Sequence, residues 1–120
     1  MSLFTIIIPR ETPNERKIDQ AIYDLLLGET EKLLADLYGG FTRSESSGCY
    51  TADSGNLICE QSYTYLIATE TEDTPITEQE ELSAMITLCC IIASTHEQEW
   101  VAMFHNGKMH RCYSLSGVKY

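Results

Sequence analysis

Residues 77–113 read TEQEELSAMITLCCIIASTHEQEWVAMFHNGKMHRCY, and the hydrophobic period changes partway along this stretch. Thr77 is followed three residues later by Glu80, a capping box whose hydroxyl and carboxylate satisfy the free amides of a first helical turn. Leu82, Met85, Ile86, Cys89, Ile92 and Ala93 then recur on one helical face. Glu78, Glu80 and Glu81 fall where the positive end of the helix dipole favours carboxylates. From Trp100 the pattern becomes that of paired strands. Asn106-Gly107 is the favoured two-residue hairpin turn, and the runs on either side are rich in aromatic and apolar residues. In that register Phe104 faces Met109, Trp100 faces Tyr113, and His110 faces Met103.

Upstream, Leu3 to Pro9 is a short β-branched run that predicts a strand buried on both faces. Thr12-Pro13-Asn14-Glu15 supplies a cap, a proline at the first helical position and a glutamate three residues after the cap, so a helix is expected from there. Ile18, Ile22, Leu25 and Leu26 continue it, and Leu33, Leu34, Leu37 and Tyr38 resume the stripe beyond Gly28, which predicts two helical pieces or one bent helix ending at Gly39-Gly40. From Phe41 to Ala68 the period is two. Turn signals at Ser46-Ser47-Gly48 and Asp53-Ser54-Gly55-Asn56 predict two short strands and a long one from about Leu57 to Thr69. Residues 69–75 read as an acidic connector, and residues 115–120 as a loose tail.

Together these elements predict a single α+β domain over residues 1–120: a ferredoxin-like antiparallel sheet with helices on one face and an additional C-terminal hairpin. Two helices cover only one face of such a sheet. The other is expected to expose Phe41, Tyr63, Tyr65 or Trp100 as an apolar patch, and hence to support a homo-oligomer.

Bulk properties narrow the function classes. Hydrophobic residues make up 43% and charged residues 22% of the 120, a composition that folds rather than one that stays disordered. No apolar run is long enough to cross a bilayer, and Met1 to Pro9 has no basic segment or cleavage site, so a cytoplasmic protein without a membrane partner is expected. The five cysteines have no framework spacing and read as free thiols in a reducing compartment. The net charge is -10, and between Ser44 and Gly107 eleven acidic residues face no Lys or Arg. Such a field disfavours nucleic acid, whose affinity rests on basic residues displacing counterions from phosphates.

Tyr38-Gly39-Gly40-Phe41-Thr42, Gly48-Cys49-Tyr50, the turn at Gly55 and Glu60 resemble small α/β proteins carried by phages and mobile elements. The likeness spans about a quarter of the chain, and that group typically carries a tryptophan near Tyr50. It implies an accessory role in the host cytoplasm, with action against host defence as one form of it.

Candidate sites come from the polar residues of the predicted sheet. Arg43 and Arg111 are its only guanidinium groups, and Glu60 is a charge inside its long strand. With Tyr50 and Tyr63 they form a candidate ligand-binding set, in which arginine holds a small anion bidentately and a tyrosine stacks or donates. The competing reading is a cross-strand ion pair. His105, His110 and Cys112 alternate onto one hairpin face, yet about 7 Å between diagonal neighbours is too far for one tetrahedral ion, so no metal and no cofactor are expected, and that face reads as solvated. No phosphate loop, nucleophile elbow or redox Cys-x-x-C is present. The expectation is a non-enzymatic protein that docks on a host or phage protein or sequesters a small anionic ligand. The alternative is a small enzyme using the His and Cys residues of the C-terminal hairpin.

Overall fold

A computed structural model of the chain describes residues 2–10, 19–51, 53–69 and 77–115, with Tyr50 described by its backbone alone. The elements run β1 (Ser2–Pro9), α1 (Gln20–Tyr38), β2 (Thr42–Thr51), β3 (Leu57–Thr69), α2 (Glu78–Thr95), β4 (Trp100–His105) and β5 (Lys108–Tyr113). The strands form one antiparallel sheet in the order β2-β3-β1-β4-β5. In each crossover a helix carries the chain past an intervening strand: α1 joins β1 to β2 across β3, and α2 joins β3 to β4 across β1. This is the ferredoxin-like split βαβ arrangement, with β5 appended through a hairpin.

β1, β3, β4 and β5 each give one face to the helices. Phe4, Ile6 and Ile8 of β1, Tyr65 and Ile67 of β3, Val101 and Met103 of β4 and Cys112 of β5 meet Leu27 and Leu34 of α1 and Met85, Leu88, Cys89, Ile92 and Ala93 of α2 in one buried cluster. Because side chains alternate across a strand, the intervening residues face away from both helices. β1 is therefore not buried on both faces as its composition suggested: Phe4 is fully buried, while Leu3 is 52% exposed.

The helix caps show how local chemistry sets the boundaries. Thr77 accepts a hydrogen bond from the Glu80 amide at 3.1 Å, the expected cap, while the Glu80 carboxylate accepts from the Thr77 hydroxyl at 3.2 Å and not from a backbone amide as in a full box. For α1 the cap is Asp19, whose carboxylate accepts from the Ala21 amide at 2.8 Å; the helix start expected at 12–15 lies outside the described residues. α1 runs through Gly28 without a break. The buried stripe is Tyr23, Leu27, Thr30 and Leu34, and Gly28 lies beside it on the exposed side, so it costs helix propensity of about 1 kcal/mol against alanine and nothing in packing. The connector at 70–76 and the tail at 116–120 also lie outside the described residues.

Two further expectations are corrected. Ser46-Ser47-Gly48 is not a turn but continuous strand, paired with Ser62, Gln61 and Glu60. Polar residues on both faces of an exposed hairpin carry no alternation, so the sequence there mimics a loop. Tyr63 and Tyr65 lie on the helix side of the sheet, with Phe41 edge-on to Tyr65 at 5.4 Å; of the four aromatics expected on the open face, Trp100 alone is there. Among the described residues nothing covers the other face. It carries Leu3, Leu66, Met109 and Tyr113, each at least 40% exposed, with Ile7 and Phe104 half-buried among them.

Candidate functional site

β1 pairs with β3 only as far as Pro9 opposite Ser62. Beyond that point residues 47–51 and 57–61 have each other as their strand partners and extend as a two-stranded arm. Along it Gly48 lies opposite Glu60, Cys49 opposite Cys59, Tyr50 opposite Ile58 and Thr51 opposite Leu57. Cys49 and Cys59 are joined by a disulfide, which corrects the expectation of five free thiols. Spacing did not reveal it because direct opposition depends on strand register.

Glu60 is exposed, and alternation along β3 puts it on the uncovered face with Ser62, Thr64 and Leu66. Its cross-strand neighbour is a glycine. A Cβ built on Gly48 meets nothing within 4 Å, so the ground beside the carboxylate is open.

The five candidate ligand residues do not converge within the chain. Arg43 and Tyr63 come together on the helix side, where the guanidinium lies 5.2 Å from the Tyr63 ring centroid. There Arg43 donates to Glu31 at 2.6 Å, and the Tyr65 hydroxyl donates to the same Glu31 oxygen at 2.6 Å. Burial and that hydrogen bond push the Tyr65 phenol well above its ordinary range. Arg10 approaches the Tyr63 ring at 5.7 Å and bonds Gln61 at 2.9 Å. These contacts latch α1 and the end of β1 onto the base of the arm. Arg111 is on the open face but at the β5 edge, 4.8 Å over Trp100, across the sheet from Glu60. Tyr50 is two positions from Gly48 along β2. Glu60 thus pairs with neither arginine, and Glu31, in the solvent pattern of α1, is the acid that Arg43 uses; nothing local in the sequence marks it.

The C-terminal hairpin face expected to be solvated is instead largely core. Cys112 is buried against Cys89, whose thiol proton it accepts; that bond and burial push the Cys89 thiol far up. Neither is an accessible nucleophile. His105 is 6% exposed and stacks on Phe4 at 4.6 Å. Its Nε2 has no hydrogen-bond partner among the described residues and lies 3.6 Å from Glu78 Oε1. It lines a pocket of about 610 Å³ with His110, Lys108, Asn106, Thr77 and Glu78, at the start of α2. The pair His105 and His110 is therefore brought to one cavity, while Cys112 is not. No group of three metal-ligating side chains is assembled among the described residues.

No family model matches the chain, and no curated protein matches it. Solved structures do. A phage SAM lyase in complex with S-methyl-5'-thioadenosine matches with a TM-score of 0.61 at 15% identity, over 94% of this chain and 89% of that chain. A phage SAM lyase in the apo state matches with a TM-score of 0.61 at 13% identity, over 95% of this chain and 90% of that one. These neighbours are phage proteins, in keeping with the resemblance drawn from the turn glycines, and they are enzymes. The expectation of a non-enzymatic binder is overturned on that ground, and the small-enzyme alternative is the better match. At this level of identity the likeness shows a shared α+β fold over nearly the whole of both chains.

Proposed function

We propose that this protein is an enzyme that cleaves S-adenosylmethionine, or a closely related sulfonium nucleoside, with Glu60 in its site. The observation that carries the reading is an exposed carboxylate set opposite a glycine on the uncovered face of a chain that shares its fold with a lyase of that substrate. S-Adenosylmethionine carries a net positive charge, so an acidic chain attracts it, whereas the small anion first expected would be repelled.

The chemistry asks little of the protein. The bond between the sulfonium sulfur and the amino-acid chain breaks, both electrons pass to sulfur, and the neutral thioether S-methyl-5'-thioadenosine leaves. The four-carbon fragment closes on its own carboxylate or loses a proton to form a double bond. Neither route adds water or needs an oxidant. A carboxylate touching the sulfonium itself would hold the charged ground state more tightly than the neutralising transition state and would slow the reaction. Glu60 is better placed at the α-ammonium, orienting the amino-acid chain for cleavage.

The His105 and His110 pocket is a second location for the chemistry, favoured by the unpartnered Nε2 of His105. It ranks lower because Lys108 and the positive end of α2 line it, which suits a sulfonium cation poorly. Incubation of the purified chain with S-adenosylmethionine is expected to release S-methyl-5'-thioadenosine, measured by chromatography. Absence of that product above the uncatalysed rate sinks the reading. Persistence of activity in His105→Gln and His110→Gln separates the two locations.

We further propose that a second copy covers the open face, since Leu3, Leu66, Met109 and Tyr113 form an exposed apolar surface there and Glu60 lies on the same face. Light scattering at micromolar concentration is expected to give a multiple of 13.6 kDa; a monomeric mass removes this part. Consumption of S-adenosylmethionine would starve methyl-dependent restriction systems, which gives the phage-type accessory role a mechanism.

A further inference from the structure

The Cys49–Cys59 crosslink lies between the residue pairs Gly48 with Glu60 and Tyr50 with Ile58. Apart from the backbone ladder itself and the bonds of Arg10 to Gln61 at the foot of the arm, nothing among the described residues fixes their alignment. Every described side chain of residues 47–51 and 57–61 is exposed, and these residues have no second neighbouring strand. An isolated two-stranded hairpin is marginal in water. Without a buried face the register of two strands is weakly specified, and a slip of one residue turns every side chain to the other side. β3 is held by β1 as far as Ser62 and by the Arg10 amide on the Gln61 carbonyl, so such a slip of residues 47–51 would leave Glu60 on its face but replace Gly48 beside it by Ser47 or Cys49 and close the open ground. The register is held at the base by Arg43 on Glu31 and by the Ser46 and Thr64 hydroxyls at 2.8 Å, but both contacts lie below the arm.

From this we infer that the Cys49–Cys59 disulfide is a positioning element that keeps Gly48 beside Glu60, so that the activity of this chain is redox-dependent. The inference rests on the reading of Glu60 as a site residue. The other cysteines, Cys89 and Cys90 of α2 and Cys112 of β5, are free thiols, so the arm crosslink is the bond that a soluble dithiol reduces. The exchange balances. One reductant thiolate attacks a sulfur of the crosslink and releases the other as a thiolate, and the second reductant thiol then closes on the first, freeing both cysteines. Two electrons and two protons reach the protein, and the reductant leaves as its own cyclic disulfide.

The experiment compares the full chain before and after dithiothreitol, with loss of the crosslink confirmed by two additional alkylated cysteines under native conditions. Hydrogen exchange in residues 47–51 and 57–61 is expected to rise by about tenfold on reduction, with β1 and α2 unchanged. Cleavage of S-adenosylmethionine is expected to fall by on the order of tenfold to a hundredfold, mainly through a raised KM, and to return on reoxidation. Cys49→Ser and Cys59→Ser should behave as the reduced form and ignore reductant; if they fold poorly, the wild-type chain reduced in place gives the same comparison. Unchanged exchange in the arm, or full activity in the reduced chain, overturns the proposal. A chain that cleaves nothing in either state, yet loosens in the arm on reduction, refutes the Glu60 reading while upholding the crosslink's hold on the register.

Discussion

Glu60→Gln is expected to lower kcat/KM for S-adenosylmethionine by at least about 100-fold, the usual loss when a preorganised polar group of a reacting site is removed. The glutamine keeps the shape and removes the charge. Because Glu60 is exposed and pairs with no basic side chain among the described residues, the substitution should change stability by less than about 0.5 kcal/mol, so a lost activity cannot be blamed on unfolding. Glu60→Asp tests reach: it retains the charge and draws it back by one methylene, and an intermediate rate is expected. Gly48→Val places a branched side chain opposite the carboxylate and should raise KM more than it lowers kcat, because it obstructs entry to the open ground beside Glu60. An unaltered rate in Glu60→Gln removes this residue from the mechanism and returns attention to the His105 pocket.

The second large effect is on stability and depends on pH. His96 is fully buried at the end of α2, its Nε2 is 2.9 Å from the Thr30 hydroxyl of α1, and Tyr23 meets the ring edge-on at 5.0 Å. Its Nδ1 has no partner among the described residues. Burial lowers the imidazole pKa to about 4 from an ordinary value of 6.5. A neutral ring suits this position. The protonated ring would bury a charge and a second donor without an acceptor.

With the folded value depressed, the unfolded chain binds a proton first as pH falls. The stability His96 contributes is complete above about pH 6.5, drains as pH drops from 6.5 to 4, and changes no further below 4. Between pH 7.5 and pH 5 the loss is roughly 2 kcal/mol for this residue. Urea denaturation of the wild type and of His96→Gln across that range measures it. Glutamine cannot titrate, so the mutant should start less stable at neutral pH and decline less steeply. Parallel slopes would show that His96 does not drive the acid lability.

Much of the architecture was legible because it rests on short-range chemistry. Thr77 caps the Glu80 amide with no help from elsewhere, and Asn106-Gly107 tolerates the positive φ values of 52° and 77° that the hairpin turn imposes. The spacing of Met85, Cys89 and Ile92 dictates which side of α2 is buried, whatever lies beneath it. The register of β4 on β5 followed from the turn residue by residue.

The errors share one cause, which is that several properties belong to pairs of segments distant in the chain. Residues 46–48 looked like a turn until residues 60–62 were placed beside them. Tyr63 and Tyr65 could not be assigned to a face until the helices chose one. Arg43 found Glu31 through the packing of α1 on the sheet, and Arg111 found Trp100 instead of Glu60.

By itself, then, the sequence determined the α+β class, the capped helix, the C-terminal hairpin and the net negative charge, since each depends on neighbours along the chain or on a simple sum. Only the tertiary structure decided that Cys49 meets Cys59, that Glu60 faces a glycine on the uncovered side, and that the whole shares its fold with an enzyme. Those facts require strand order and register, which are settled by how buried surface is shared among remote segments.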